Sequence, residues 1–303
     1  MPKTALLFPG QGAQYLGMGA GLLARFPDAK SCFDRASVVL GYDLLGLCLN
    51  GPEERLNATI HCQPALFVHS VASLASLVHQ HPEVMDSVVA VAGLSLGEYS
   101  AMAAAGVLDF EDGVRLVKER GAAMQAAAES QPSGMASLLG MTIEDIQAVC
   151  DEARQPGEVL QIANLLCPGN TAISGHIASL EAAEAIAMQK GAARFIRLSV
   201  AGAFHTSIMN SAVERLKDVL TNVSLRKATK VLYSNVDAAP HVEPSDFRDL
   251  LAKQVVNPVR WESTLRELLA TGVEQFYEIG AGRVLAGTIK RIDRKIPCEC
   301  VGD

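Results

Sequence analysis

The sequence predicts an α/β fold built as a large domain with a small second domain inserted in it. Three observations predict this. Short apolar runs alternate with amphipathic helical stretches along the whole chain. One such run, Ser87-Val88-Val89-Ala90-Val91-Ala92, enters a glycine-bounded turn and then a helical stretch. Residues 133–199 read in the order β-α-β-β-α-β, which is ferredoxin-like.

The elements follow in order. Thr4-Ala5-Leu6-Leu7-Phe8 reads as a first strand, and its apolar part is too short for a signal peptide. Pro9-Gly10-Gln11-Gly12 then makes a tight turn with accessible amides, a pattern that ordinary strand-to-loop turns also show. Gly93-Leu94-Ser95-Leu96-Gly97 matches Gly-x-Ser-x-Gly between a strand and the helical stretch Glu98–Ala105, closed by Gly106. That is the context of a nucleophile elbow, and it gives the large domain an α/β-hydrolase-like reading. The motif is loose, and accidental matches are common turns. Here Ser95 would stand at a helix N-terminus, where amides and dipole favour developing negative charge.

Farther on, the expected helix around residues 109–121 carries Val114, Val117 and Gly121 on one face. Arg115 and Glu119 read as an outward i,i+4 pair, and Arg120 lies next to the apolar side. The inserted segment is expected as a strand at Met135–Leu139, a helix at Thr142–Ala153 and strands at Val159–Asn164 and Thr171–Ser174. A helix at Ala178–Lys190 and a strand at Arg194–Leu198 complete it. Thr142 and Asp145 resemble a capping box with Asp in the last place. The expected domains are thus 1–132 with 200–303, and 133–199, with a ligand cleft between them.

Bulk properties exclude several functions. The 303 residues are 49% hydrophobic and 19% charged, with a net charge of -7, so nothing points to nucleic acid. No apolar run reaches the length of a membrane span. Seven scattered cysteines, with Cys298-x-Cys300 unsupported by a second pair or a histidine, form no zinc pattern. They suit free thiols in a reducing compartment, which predicts a cytoplasmic protein. A plastid or mitochondrial origin stays open if a transit peptide was removed.

A serine nucleophile needs a base. Of seven histidines, His205 is best placed, in the loop where the chain leaves the small segment and re-enters the large one. An α/β-hydrolase would carry its histidine near the C-terminus, but none follows His241, and no His-Gly-Gly-Gly loop occurs. Both absences count against an esterase or lipase. Arg120, combined with the elbow, suggests a clamp on a substrate carboxylate.

Taken in order, Phe8-Pro9-Gly10-Gln11-Gly12, Gln63-Pro64-Ala65, Gly93-Leu94-Ser95-Leu96-Gly97-Glu98-Tyr99, Arg120-Gly121, Phe204-His205, Asn257-Pro258-Val259 with Trp261, and Glu278-Ile279-Gly280 with Gly282 and Val284-Leu285 span nearly the whole chain. The chain resembles the malonyl-CoA:acyl-carrier-protein transacylases and, more widely, the acyltransferase domains of fatty-acid and polyketide synthases. The resemblance implies Ser95 as nucleophile, His205 as base and Arg120 as the malonyl-carboxylate ligand. It implies Gln11 and Leu96 amides as the oxyanion hole, and Gln63 in the pocket. It also implies a backbone carbonyl, at Gln254, that orients the histidine in place of an acid. Phe204 before the histidine matches the malonyl-using form, where it would crowd an added methyl at a cost of about 1–3 kcal/mol. Leu94 stands where many bacterial members have histidine.

The implied reaction is ping-pong malonyl transfer from malonyl-CoA to the phosphopantetheine thiol of an acyl carrier protein, with no metal or redox cofactor. The transacylase subunit of malonate decarboxylase, a serine thioesterase or hydrolase of the same fold, and a non-catalytic scaffold remain alternatives. Arg283, Lys290, Arg291, Arg294 and Lys295 are expected either to dock the acidic carrier protein or to form an ordinary solvated helix face.

Overall fold

Strand β1 (Thr4–Phe8) is buried along its whole length, as a continuous apolar run in a parallel sheet should be. A computed structural model describes residues 2–302, and in it β1 pairs in parallel with β2 (Val88–Gly93) and β9 (Gln275–Ile279). β7 (Val231–Tyr233) continues the parallel sheet beyond β2, and β10 (Cys298–Val301) beyond β9. The short β8 (Pro240–His241) closes one edge antiparallel, giving the order β10-β9-β1-β2-β7-β8. The period of two decides which core each residue joins. Leu6 and Phe8 face one apolar cluster, and Ala5 and Leu7 face the other. The first is covered by the helices Thr59–Gln80, Gly97–Ala104 and Phe110–Glu129, the second by Trp261–Ala270 and Val284–Ile292.

The second sheet comes from one continuous stretch. β3 (Ser133–Leu139), β4 (Leu160–Cys167), β5 (Asn170–His176) and β6 (Arg194–Arg197) lie antiparallel in the order β4-β5-β3-β6. The helices Ile143–Ala153 and Ile177–Gln189 bury Ile146, Val149, Leu180 and Ala183 against one face of it, in a cluster with Ala136 and Leu138. This is the ferredoxin-like arrangement the sequence predicts, with element ends shifted by a few residues.

β4 runs to Cys167, past the predicted stop at Asn164. The two-residue turn Pro168-Gly169, with Gly169 at φ 71°, lets β4 and β5 pair almost to the turn. β4 also docks on the large sheet's body. Leu165 N donates to Val259 O (2.9 Å), and Val259 N donates to Ala163 O (2.8 Å).

Two local expectations are corrected. Arg115 does not pair with Glu119. It donates to Asp112 (2.7 Å), while Glu119 accepts from Arg215 (2.6 Å) on the neighbouring helix Asn210–Thr221. A helix packed alongside supplied a better partner than the helix itself. The capping box at Thr142 is half formed. Thr142 Oγ1 accepts from Asp145 N (3.1 Å), but the Asp145 carboxylate accepts from the threonine hydroxyl (2.8 Å). Asp is one methylene shorter than the Glu that reaches back in a full box.

Because β1, β2 and β7 are parallel, their C-terminal ends share one edge of the sheet. The turns Pro9–Gly12, Leu94–Ser95 and Ser234–Asn235 therefore meet there, in the crevice where open α/β sheets place their ligands.

Candidate active site

The elbow is built by backbone crowding. A Cβ on Gly93 would strike the Gly97 carbonyl, one on Gly97 the Phe8 carbonyl, and one on Gly10 the Leu94 carbonyl. Only glycine lets the turns after β1 and β2 touch backbone to backbone. Ser95 sits between them at φ 50°, a left-handed conformation that non-glycine residues rarely adopt. Leu96 is the N-cap of the helix Gly97–Ala104, so its amide lies at the helix's positive end. Gln11 lines the same pocket, and its side chain turns away to donate to Thr59 Oγ1 (3.3 Å).

A residue that sequence reasoning missed clamps the elbow. Asn235, just after β7, accepts from Ser95 N through Oδ1 (2.6 Å) and donates from Nδ2 to Gly93 O (2.7 Å). Its only sequence signal is its place after the apolar run Val231–Tyr233.

His205, also left-handed at φ 63°, lies with Nε2 2.9 Å from Ser95 Oγ and Nδ1 2.8 Å from the backbone oxygen of Gln254. A carbonyl only accepts, so Nδ1 carries the proton and Nε2 of the neutral ring accepts from the serine. Burial pushes the imidazole down to about 4, with the Arg120 charge acting in the same direction and the Gln254 carbonyl opposing. The base form, present above that value, is therefore the working form. In a Glu98→Gln variant, which lacks the other buried group of the site that titrates near neutrality, the pH profile of Ser95 acylation should show no inflection near the usual 6.5, and the rate should fall only as His205 is protonated near 4. A limb near 6.5 that persisted in that variant would show that the ring is solvated in the working enzyme.

Arg120 is buried on the helix Phe110–Glu129. Its neighbour Gly121 explains how it gets there. A Cβ on Gly121 would lie 2.8 Å from Thr59 O, so glycine lets this helix press on the start of Thr59–Gln80. The press brings Arg120 Nη1 to Gln63 Oε1 (2.7 Å), while Nη2 reaches Gln254 Oε1 (2.9 Å) and Ser95 Oγ (3.1 Å). The Arg120 guanidinium also sits 5.2 Å from the Tyr99 ring centre. Gln63 thus stands behind Arg120 and orients it, and is not on the pocket wall as expected.

Gln254 has two jobs. Its carbonyl holds His205, and its side-chain Nε2 donates to Ser95 O (3.0 Å) and to Glu98 Oε2 (2.6 Å). Glu98, fully buried and unanticipated from the sequence, also accepts from Asn235 N (3.2 Å). Burial pushes its carboxyl up to about 7, against the pull of those hydrogen bonds.

Ser95, Arg120 and His205 open onto a pocket of about 80 Å³. Leu94 and Phe204 line it from the large-sheet side, and Met135, Asn164 and Leu198 from the segment 133–199. A hydroxyl beside a neutral imidazole and a buried guanidinium equips the pocket to form an ester with an acyl group that carries a negative charge.

A model of the acyl transferase domain matches residues 5–301. The malonyl CoA-acyl carrier protein transacylase of Bacillus subtilis is 41% identical over 303 residues, covering 100% of this chain and 94% of that protein. A mitochondrial malonyl-CoA-acyl carrier protein transacylase of Mus musculus is also 41% identical, covering 96% of this chain and 79% of its own. Among solved structures, a malonyl-transacylase in complex with its type II PKS acyl-carrier protein superposes with a TM-score of 0.95. It is 38% identical, with 99% of this chain and 96% of that chain covered.

Proposed function

The chain belongs to the acyl transferase domain family, and on that premise we propose that it moves a malonyl group from malonyl-CoA to the phosphopantetheine thiol of an acyl carrier protein, in fatty-acid or polyketide synthesis. It is then an acyltransferase of the [acyl-carrier-protein] S-malonyltransferase class. One observation carries the proposal: Ser95 Oγ lies within hydrogen-bond distance of both His205 Nε2 (2.9 Å) and Arg120 Nη2 (3.1 Å). A plain serine hydrolase has no use for that guanidinium.

In this reading Ser95 Oγ attacks the thioester carbonyl and gives its proton to His205 Nε2. The oxyanion is held by the amides of Gln11 and Leu96, each such donor being worth about 2.7–4 kcal/mol. The C–S bond breaks, CoA leaves with the proton from His205, and malonyl-Ser95 remains. The carrier thiol then gives its proton to His205, attacks the ester carbonyl, and Ser95 Oγ recovers the proton as it departs. Arg120, braced by Gln63 and Gln254, holds the free carboxylate through both halves. The neutral Gln254 carbonyl suits this site, because an aspartate beside His205 would compete with substrate for Arg120. Phe204 on the pocket wall narrows the space at the malonyl α-carbon.

Intact mass after brief incubation with malonyl-CoA tests the reading. A malonyl adduct is expected on the wild type, absent from Ser95→Ala and discharged by holo carrier protein faster than by water. Free malonate formed without transfer would make the chain a hydrolase.

We propose in addition that residues 133–199 are a small domain inserted between 1–132 and 200–303. The second sheet and its separate apolar cluster support the division. A reducing, cytoplasmic-type compartment is supported by seven free cysteines. No helix among the described residues is long and apolar enough to cross a membrane.

The exposed cations Arg283, Lys290, Arg291, Arg294 and Lys295 support a carrier-docking surface. The helix Val284–Ile292 follows β9, which is parallel to β1, so Arg283 stands at the edge that holds the site, while Lys290 and Arg291 lie in the last turn of the helix as it runs away from that edge. Reversing charge at Lys290 and Arg291 should slow transfer to carrier protein at low salt and leave acylation by malonyl-CoA unchanged. Equal transfer rates would remove the patch from the docking surface.

A further inference from the structure

We propose that Glu98 is a positioning residue for substrate choice: it sets the orientation of the Gln254 side-chain amide and through it the seat of Arg120. The inference rests on the reading of Arg120 as the carboxylate ligand and extends it by one layer.

The two ends of a glutamine amide have nearly the same shape, so neighbouring donors and acceptors decide which way it faces. Gln254 Oε1 must face Arg120 Nη2 (2.9 Å), because an amide N–H turned toward a guanidinium N–H would meet donor with donor. What holds the other end is therefore what seats the arginine. Nε2 is taken by Glu98 Oε2 at 2.6 Å, the shorter contact, and by Ser95 O at 3.0 Å. Glu98 lies on the first turn of the elbow helix, three residues after the nucleophile, at 1% exposure. Its carboxylate accepts from Gln254, from the Asn235 amide (3.2 Å) and from the Ser234 side chain. Asn235 in turn holds Ser95 N and Gly93 O. One buried carboxylate oxygen thus joins the bracket of the nucleophile to the bracket of the arginine. A buried acid has a high desolvation cost, and a site needing only a filled volume would not require one.

Loss of Glu98 should therefore damage the use of a charged acyl group more than the chemistry at Ser95. The test measures Ser95 acylation by malonyl-CoA and by acetyl-CoA in folded wild type, Glu98→Gln, Glu98→Asp, Glu98→Ala, Arg120→Ala and the Glu98→Ala/Arg120→Ala pair. Glu98→Ala should lower malonyl acylation by about 10–100-fold, the scale of a lost hydrogen bond to a charged group, with a smaller loss for acetyl. Glu98→Asp keeps the charge but lacks the reach, and should side with alanine. Glu98→Gln can still present an oxygen to both donors and should recover most of the malonyl preference. In the Arg120→Ala background, Glu98→Ala should add no further loss of preference.

An unchanged malonyl-to-acetyl ratio in Glu98→Asp and Glu98→Ala overturns the inference, as does an equal loss with both substrates. If circular dichroism shows Glu98→Ala unfolded, Glu98→Asp against Glu98→Gln decides alone. Failure of the wild type itself to take malonyl would instead overturn the proposed function.

Discussion

Ser95→Ala, His205→Ala and the double variant should all fall to the same low rate of malonyl transfer. Residues that act as one unit are not additive, and in a serine–histidine pair either loss removes the shared step, costing roughly 10⁴–10⁶-fold. The geometry gives the reason. Ser95 Oγ has His205 Nε2 at 2.9 Å and the Arg120 guanidinium at 3.1 Å. Arginine is only a donor and cannot take the serine proton. Glu98, the buried acid of the site, reaches Gln254 and Asn235 but not the hydroxyl. Among the described residues no second base lies within hydrogen-bond distance of the Ser95 hydroxyl when the imidazole is removed. Rapid-quench acylation with malonyl-CoA, followed by transfer to holo carrier protein, measures each variant. A His205→Ala chain that lost less than about 10²-fold, the lower end of a general base's worth, would take His205 out of the mechanism.

The parts of this site legible in the sequence are those whose constraint is local. The elbow needs glycine at 93 and 97 because backbone meets backbone, and such a demand leaves a pattern in five consecutive residues. The β-α-β-β-α-β order was legible for the same reason, since each element carries its own period and stop. Arg120 was different. Its helical context alone describes a solvated arginine, and it takes a role only beside the distant elbow and from the family resemblance. Its burial comes from Gly121 pressing on Thr59, a contact between helices that no single stretch of sequence displays.

Asn235 and Glu98 were missed on the same physical ground. Each is defined by closure in space: Asn235 holds the Ser95 amide across 140 positions, and Glu98 meets Gln254 across 156. Glu98 stood inside the quoted motif and still passed as the first residue of a helix, where an acid is ordinary. The failed Arg115–Glu119 pair teaches the converse. A spacing rule for an isolated helix gives way when the helix Asn210–Thr221 packs alongside and offers Arg215. The absent triad acid has a similar explanation. A backbone carbonyl is available from any residue type, so the group that orients His205 leaves no side-chain signature.

Arg120→Ala should convert the site from one that selects a carboxylate into one that is indifferent to it. Nη1 has one hydrogen on Gln63, and Nη2 directs its hydrogens to Gln254 and Ser95. Once Ser95 is esterified its hydroxyl no longer needs that contact. One hydrogen on each terminal nitrogen is then free for the two oxygens of a carboxylate, the fork that lysine cannot reproduce. Without the guanidinium, the malonyl carboxylate enters a pocket walled by Met135, Leu198 and Phe204 with no opposite charge. A charge left buried and unpaired costs about 3–5 kcal/mol, which is roughly 10²–10⁴-fold on malonyl acylation. Acetyl-CoA brings no charge and should lose far less. The His205 imidazole should also titrate higher, because the Arg120 charge is one of the effects that hold it down. Two readouts then separate a lost clamp from a damaged fold: a collapsed malonyl-to-acetyl ratio, and an acid limb moved toward higher pH. Equal losses with both acyl groups would mean that Arg120 supports the pocket's structure and does not bind substrate. A lysine at 120 tests the geometry itself. It keeps the charge and gives up the fork, so a full recovery of the ratio would make charge alone sufficient, and the bidentate account predicts only a partial one.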